Sequence, residues 1–196
     1  MPQDRNAIIQ TTIKHIATDG VYFRIEHIAQ SAGVTEAALY HYFPEQQLLV
    51  DCVYLAIKEE VADYVMPAVE ETHDVFSMLE EGWNRYFDWG CEHESQITAW
   101  YRLYHSTLLS EEARSDGEHM FECMHQRIEY AVSQGKLGDL PCDYICKIIR
   151  EHVHLAIFHA VALPSQEARD AHKELGFRLL WQGLSEIFET HDRKRA

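Results

Sequence analysis

The sequence is short of basic residues: 17 Lys and Arg stand against 32 Asp and Glu, a formal net charge of −15. A chain this acidic repels polyanions as a whole, so its total charge argues against nucleic acid unless a local patch provides for it. Only 9 Gly and 5 Pro occur among 196 residues, which excludes collagenous and low-complexity classes. Five cysteines, at 52, 91, 123, 142 and 146, form an odd number with no C-x-x-C pair. That spacing gives neither a disulfide framework nor a zinc ribbon; it suits a reducing compartment, with the thiols expected in the core. The longest uncharged run, His152 to Gln166, is 15 residues with three His, short of the roughly 18 apolar residues that read as a bilayer span. Met1-Pro2-Gln3-Asp4-Arg5 begins no basic stretch followed by an apolar core, so no secretion signal is read and a cytoplasmic location is expected.

What the chain has in quantity is apolar residues, 46% of the total, enough for a real core at this length. They recur at helical spacing in almost every segment, without sustained alternation of period two, so the expected fold is all-α with about nine helices. Ile8, Ile9, Ile13 and Ile16 share one face of a first helix that Gly20 ends. Ile25, Ile28, Ala29 and Ala32 mark a short second helix, and Ala38, Leu39, Tyr42 and Phe43 a short third. A long helix begins near Gln47 and is expected to stop at about Met66, before Pro67. Aromatic-rich helices follow around Phe76 to Gly90 and Ile97 to Leu108, then helices from Phe121, Ile145 and Leu175 onward. No internal repeat is present. The length allows a small module joined to a larger one, and the composition places the boundary near Gln46: residues 1–46 as one domain, 47–196 as the other.

The segment Ile25 to Leu39 has helix-turn-helix spacing. Ala29 is small where two helices would cross, Gly33 permits the positive φ of a tight turn, and Ile28, Val34 and Leu39 supply a shared apolar wedge. Thr35 is placed to cap the second helix of the pair. So short a helix cannot bury itself, but it fits the major groove, where each base pair shows a distinct donor and acceptor pattern. Its outward residues are Thr35, Glu36, Ala37, Tyr40 and His41. The bland alternative is a packing element of a non-binding helical protein.

Gly33-Val34-Thr35 leading into Leu39-Tyr40-His41-Tyr42-Phe43-Pro44 and then Leu48-Leu49 resembles the DNA-binding domain of TetR/AcrR-type regulators, over about residues 5 to 55. The resemblance implies three N-terminal helices, a long connecting helix, and a larger helical domain that binds a small ligand and dimerises through its last two helices. It implies that Thr35, Ala37 and Ala38 approach bases and backbone, that Tyr40 and His41 reach phosphates, and that Tyr42 and Phe43 are core. Two positions depart from the family: Arg24 stands where Thr is frequent, and Gln46 where Lys is frequent. One N-cap and one phosphate contact are thereby altered, and Arg24 is a candidate to replace the lost charge. Residues 1–50 hold three Lys and Arg against five Asp and Glu, so the expected DNA binding is modest, salt-sensitive and dependent on both halves of a homodimer.

Residues 51–196 carry 14 cations against 27 carboxylates and are not a second nucleic-acid reader. Aromatic and Met side chains are plentiful there, and Trp83, Phe87, Trp100, Tyr104, Phe121 and Met124 are the candidates for binding a small apolar or aromatic effector. Taken singly, each is more easily a core residue. Cys142 and Cys146, at i and i+4, are able to share an ion, but His152 and Ala156 lie on the apolar face and no histidine of the same helix joins the cysteines, so no metal and no cofactor are expected. His105 and His125 are read as satisfied core histidines. No G-x-S-x-G, phosphate loop or H-E-x-x-H occurs, and Glu111-Glu112 reads as a solvated helix start, so no enzymatic activity is expected. The whole reads as a one-component regulator, a repressor that releases its double-stranded operator when the effector binds. The alternative is a helical ligand-binding or interaction module that has lost specific DNA binding. Val153, Ala156 and Ala160, with Gly176, Leu179, Gly183 and Ile187, are the expected dimer stripes; the same small residues also suit internal packing.

Overall fold

The structure, a computed structural model, describes the backbone at residues 2–137 and 140–192 and the side chains at 4–137 and 140–185. Ten helices and no strand occur among the described residues: α1 (Pro2–Asp19), α2 (Ile25–Ala32), α3 (Glu36–Tyr42), α4 (Gln46–Glu70), α5 (Val75–Glu92), α6 (Glu94–Tyr104), α7 (Glu111–His119), α8 (Glu122–Ser133), α9 (Cys142–Ala160) and α10 (Gln166–Asp192). The all-α expectation holds, with one helix more than the nine expected. The addition is α7, which Ser110 caps by accepting the Ala113 N–H at 3.1 Å. Pro67 does not stop α4, which continues to Glu70. Proline costs the helix its own N–H and crowds the carbonyl of residue i−4, but the chain stays helical past it. The end of α4 is closed by Thr72, whose N–H and hydroxyl reach the Val69 carbonyl at 3.2 and 2.6 Å. The Arg127 guanidinium donates to the carbonyls of Val69 at 2.9 Å and Thr72 at 3.0 Å. No described helix is long and apolar enough to cross a membrane.

The chain divides into two compact units, residues 1–62 with 93–120, and residues 63–92 with 121–196. In the first, Ile8, Ile9, Ile13 and Ile16 bury one face of α1, and Thr12, on that face, satisfies its hydroxyl by donating to the Ile8 carbonyl at 2.8 Å. The helix packs against α2, α3 and α6. Arg102 of α6 donates from Nη1 at 2.7 Å to the Ile16 carbonyl, which also accepts the Gly20 N–H at 3.2 Å, so a side chain of α6 is tied to the last turn of α1. The stretch between α6 and α7 is fastened to the start of α4: Gln47 donates to the Leu108 carbonyl, and Asp51 accepts the Ser110 N–H at 3.1 Å. Thus α6 and α7 belong to the same compact unit as the N-terminal helices.

In the second unit α9 packs against α5, α8 and α10. Gly176 lets α10 approach: a Cβ there would lie 2.8 Å from the Trp83 ring. Trp83 in turn donates from Nε1 to the Lys173 carbonyl at 3.0 Å, and His152 Nε2 is 2.9 Å from the Gly176 carbonyl. Lys173 pairs with Asp88 at 2.8 Å. Apolar packing and a few directed polar contacts thereby fix the register of α5, α9 and α10.

Candidate nucleic-acid interface

The turn between α2 and α3 is built by two residues. Gly33 adopts φ 69° and ψ 26°, the left-handed region that glycine occupies without a Cβ clash. Its N–H bonds the Gln30 carbonyl at 3.2 Å and the Val34 N–H bonds the Ala29 carbonyl at 3.0 Å, the paired closure of a Schellman motif. Thr35 then sits extended at φ −76° and ψ 151°, and its hydroxyl accepts the Ala38 N–H at 3.1 Å, so α3 starts at a capped end. Ile28, Ala29, Leu39 and Phe43 are buried beneath the pair. Val34, expected in the wedge, is half-buried, as is Tyr42, expected in the core.

The opposite face of α3 is open. Glu36, Ala37, Tyr40 and His41 are exposed, Thr35 is exposed at the cap, and Ala38 is half-buried. Rings mark the far end of that face, where His41 stands edge-on to Tyr42 with centroids 5.3 Å apart. Arg24 occupies the N-cap of α2 without a side-chain cap bond; its guanidinium lies 3.5 Å from Glu26 and is largely solvent-exposed. Gln46 donates from Nε2 to the Phe23 carbonyl at 3.4 Å, so its amide braces the α1–α2 connection. These two residues, with Tyr22, Phe23, Gln47, Val50 and Leu108, line a cleft of about 430 Å³ beside the start of α2. The other cations of this segment are Arg5, which sits 5.6 Å over the Phe43 ring, and Lys14, which is exposed.

The aromatic candidates fall into both units. Trp100 and Tyr104 stack in the first, centroids 4.9 Å apart, with Arg114 4.6 Å over Tyr104. Trp83 and Phe87 are buried in the second and stack at 6.2 Å. Phe121 and Met124 are half-buried there, and the Met124 methyl would stand 3.1 Å from a Cβ on Gly82. The core histidine is neither of those expected: His105 is exposed and His125 half-buried, whereas His154 is buried with its Nε2 2.7 Å from the Tyr86 hydroxyl. His105 stands beside two rings, Tyr101 at 4.5 Å and Tyr104 edge-on at 5.2 Å, and is nonetheless exposed. All five thiols are free and half-buried, not core. Sequence reading missed that α8 carries His125 to the cysteines of α9, with Nε2 3.6 Å from Cys142 Sγ. Helical spacing reports neighbours on one helix, and no signal in the sequence pairs residues 125 and 142.

A capped helix-turn-helix with an exposed second helix is the arrangement found in helix-turn-helix DNA-binding domains. Residues 8–51 match the family model described as bacterial regulatory proteins, tetR family. A TetR family transcription regulator from Marinobacter aquaeolei VT8 is 18% identical, with 94% of this chain and 96% of that one covered, at a TM-score of 0.82. A structure assigned to the same family from Shewanella sp. PV-4 is 22% identical over 93% and 98%, at 0.83. A fatty acid degradation regulator from Bacillus halodurans is 17% identical over 92% and 96%, at 0.69. The family-model match is confined to residues 8–51, and over more than nine-tenths of its length the chain has the fold of TetR-family transcription regulators.

Proposed function

We propose that the chain is a one-component repressor that acts in the cytoplasm as a homodimer and leaves its operator when a small apolar or aromatic effector binds. The observation that carries the DNA-binding part is the α2–α3 pair: Gly33 and Thr35 fix the turn, the back of α3 is buried, and Glu36, Ala37, Tyr40 and His41 are left exposed. With three cations against five carboxylates in residues 1–50, affinity rests on the paired subunits and on base-edge contacts more than on neutralised phosphate. Arg24 remains the cation best placed to reach a phosphate, since its guanidinium is exposed despite Glu26.

The effector reading is supported by the aromatic content of the second unit, with Trp83, Phe87, Phe121 and Met124 as its residues there, and by the fatty acid degradation role in the name of the Bacillus halodurans relative. For transmission, Arg102 joins α6 to the last turn of α1 while Gln47 and Asp51 join α4 to the α6–α7 stretch. A displacement of α4 or α6 would therefore carry the recognition helix with it, changing the spacing of two such helices from the roughly 34–36 Å repeat of successive major grooves.

Dimerisation is assigned to exposed apolar residues of α9 and α10. Val153, Ala156 and Ala160 are buried within the chain and Gly176 faces Trp83, so these serve internal packing. Leu155, Leu175 and Leu179 are 68%, 59% and 65% exposed, and Gly183 has nothing within 4 Å of a Cβ position. Ile187, the other stripe residue, lies outside the residues whose side chains are described.

The test is fluorescence anisotropy with duplex DNA from upstream of the chain's own gene, titrated with salt. Specific binding that weakens steeply with salt supports the reading, and equal, feeble binding to a scrambled duplex rejects it in favour of a module that no longer reads DNA.

A further inference from the structure

His125 of α8 and Cys142 and Cys146 of α9 each offer one donor atom, and these three atoms lie within 4.8 Å of one another. We propose that they form a binding site for a borderline-soft divalent ion of the zinc class, coordinated by two thiolates and one imidazole and joining α8 to α9.

The geometry comes from two helices. Cys142 and Cys146 are one turn apart on α9 and so share a face. Packing of α8 against α9 brings His125 to that face, with Nε2 3.6 Å from Cys142 Sγ. An ion bound tetrahedrally, with Zn–S of about 2.3 Å and Zn–N of about 2.0–2.1 Å, separates its sulfur and nitrogen ligands by about 3.6 Å. The two atoms thus already stand at the spacing of neighbouring ligands in a coordination tetrahedron. Asp143 places Oδ1 4.0 Å from the same Nε2, and its carboxylate is mostly exposed. It marks the solvent side of the cluster, where that carboxylate or a water completes the coordination and through which the ion enters.

The donor chemistry selects the ion. Thiolate with imidazole suits zinc and other soft or borderline metals, whereas magnesium and calcium take oxygen ligands. Burial raises both thiols, Cys142 upward and Cys146 to about 12, so neither is an activated nucleophile without a metal. On binding, each thiol loses its proton to solvent and gives its sulfur lone pair to the ion, which releases two protons per divalent ion and changes no oxidation state. The imidazole binds through Nε2 in its neutral form.

The full chain, reduced and stripped with a chelator, is titrated with Co(II) and then with Zn(II). One equivalent of Co(II) should produce a thiolate charge-transfer band with a tetrahedral ligand-field envelope, and one equivalent of Zn(II) should remove both. Cys142→Ser and His125→Ala should each weaken Zn(II) binding at least tenfold, with Cys123→Ser, outside the cluster, unchanged. Where a variant does not fold, the natural chain decides: Zn(II) should protect Cys142 and Cys146 from alkylation, mapped by mass spectrometry, and leave Cys52, Cys91 and Cys123 reacting as before. Absence of the charge-transfer band, affinity indifferent to Cys142→Ser and His125→Ala, or protection of other cysteines instead overturns the proposal. None of these readouts depends on DNA binding.

Discussion

Thr35 shows how one side chain sets the candidate interface. Its hydroxyl is the acceptor for the first turn of α3, and Thr35→Ala should cost about 1 kcal/mol of stability in urea denaturation, with Thr35→Ser keeping most of it. That role was legible because a hydroxyl residue directly after a turn glycine has few other uses. Asp74 is the comparable group at α5, where the Ser77 N–H donates to Oδ1 at 3.0 Å and the Ser77 hydroxyl to Oδ2 at 2.8 Å. Those bonds, chiefly that of the Ser77 backbone, hold its carboxyl below the ordinary value of 3.8. A depressed folded-state value contributes stability above the unfolded value, and that contribution is lost as pH falls through the folded one. Thermal melts should therefore show Asp74→Asn less stable than the natural chain near neutral pH, the gap closing as pH falls below 3.8. A gap that stays constant down to acid pH would contradict the assignment. Arg24 and Gln46 were read for what they could do outward. Their inward or local partners, Glu26 and the Phe23 carbonyl, appear only when the chain is folded.

At the scale of elements, periodicity revealed the helices that bury a stripe and failed where none exists. α7 is Glu111–His119, with Ala113 and Gly117 as its buried residues, so it offers no apolar period to read. Gly117 is small for a reason outside its own helix, since a Cβ there would meet the Tyr54 ring at 2.5 Å. α4 outran its expected end: its Val69 carbonyl is held both by Thr72 nearby and by Arg127 of α8, and the second of these no local rule connects to Pro67. Gly176 separates local preference from packing. In isolation Gly→Ala in a helix gains roughly 0.5–1 kcal/mol. Here the added methyl would press on the Trp83 ring at 2.8 Å, and overpacking typically costs about 1–3 kcal/mol. Gly176→Ala should therefore lower Tm, by about 2–4 °C for each net kcal/mol lost. Calorimetry showing a raised Tm would mean that the α5–α10 contact yields easily.

For the molecule as a whole, the resemblance carried by Gly33 to Leu49 reached the fold correctly, because that stretch joins turn chemistry to a buried string in one continuous segment. The stripes read for a dimer face proved to include residues of the chain's own core. Small residues at helical spacing serve close approach inside a chain as well as between chains, and burial assigns Val153, Ala156, Ala160 and Gly176 to the inside. The remaining leucines define the test of the pairing: Leu175→Glu with Leu179→Glu should sediment as a monomer with unchanged helix content, and its affinity for the upstream duplex should fall at least tenfold. A variant that stays dimeric places the interface elsewhere.

The claim on which the regulator reading depends is that the exposed face of α3 lies in the major groove. Dimethyl sulfate protection reports it directly, because guanine N7 is displayed there and not in the minor groove. The upstream duplex bound by the chain should show two protected patches about one helical turn apart or a multiple of it, and both should disappear with Tyr40→Glu. Binding that leaves every guanine N7 reactive would contradict it.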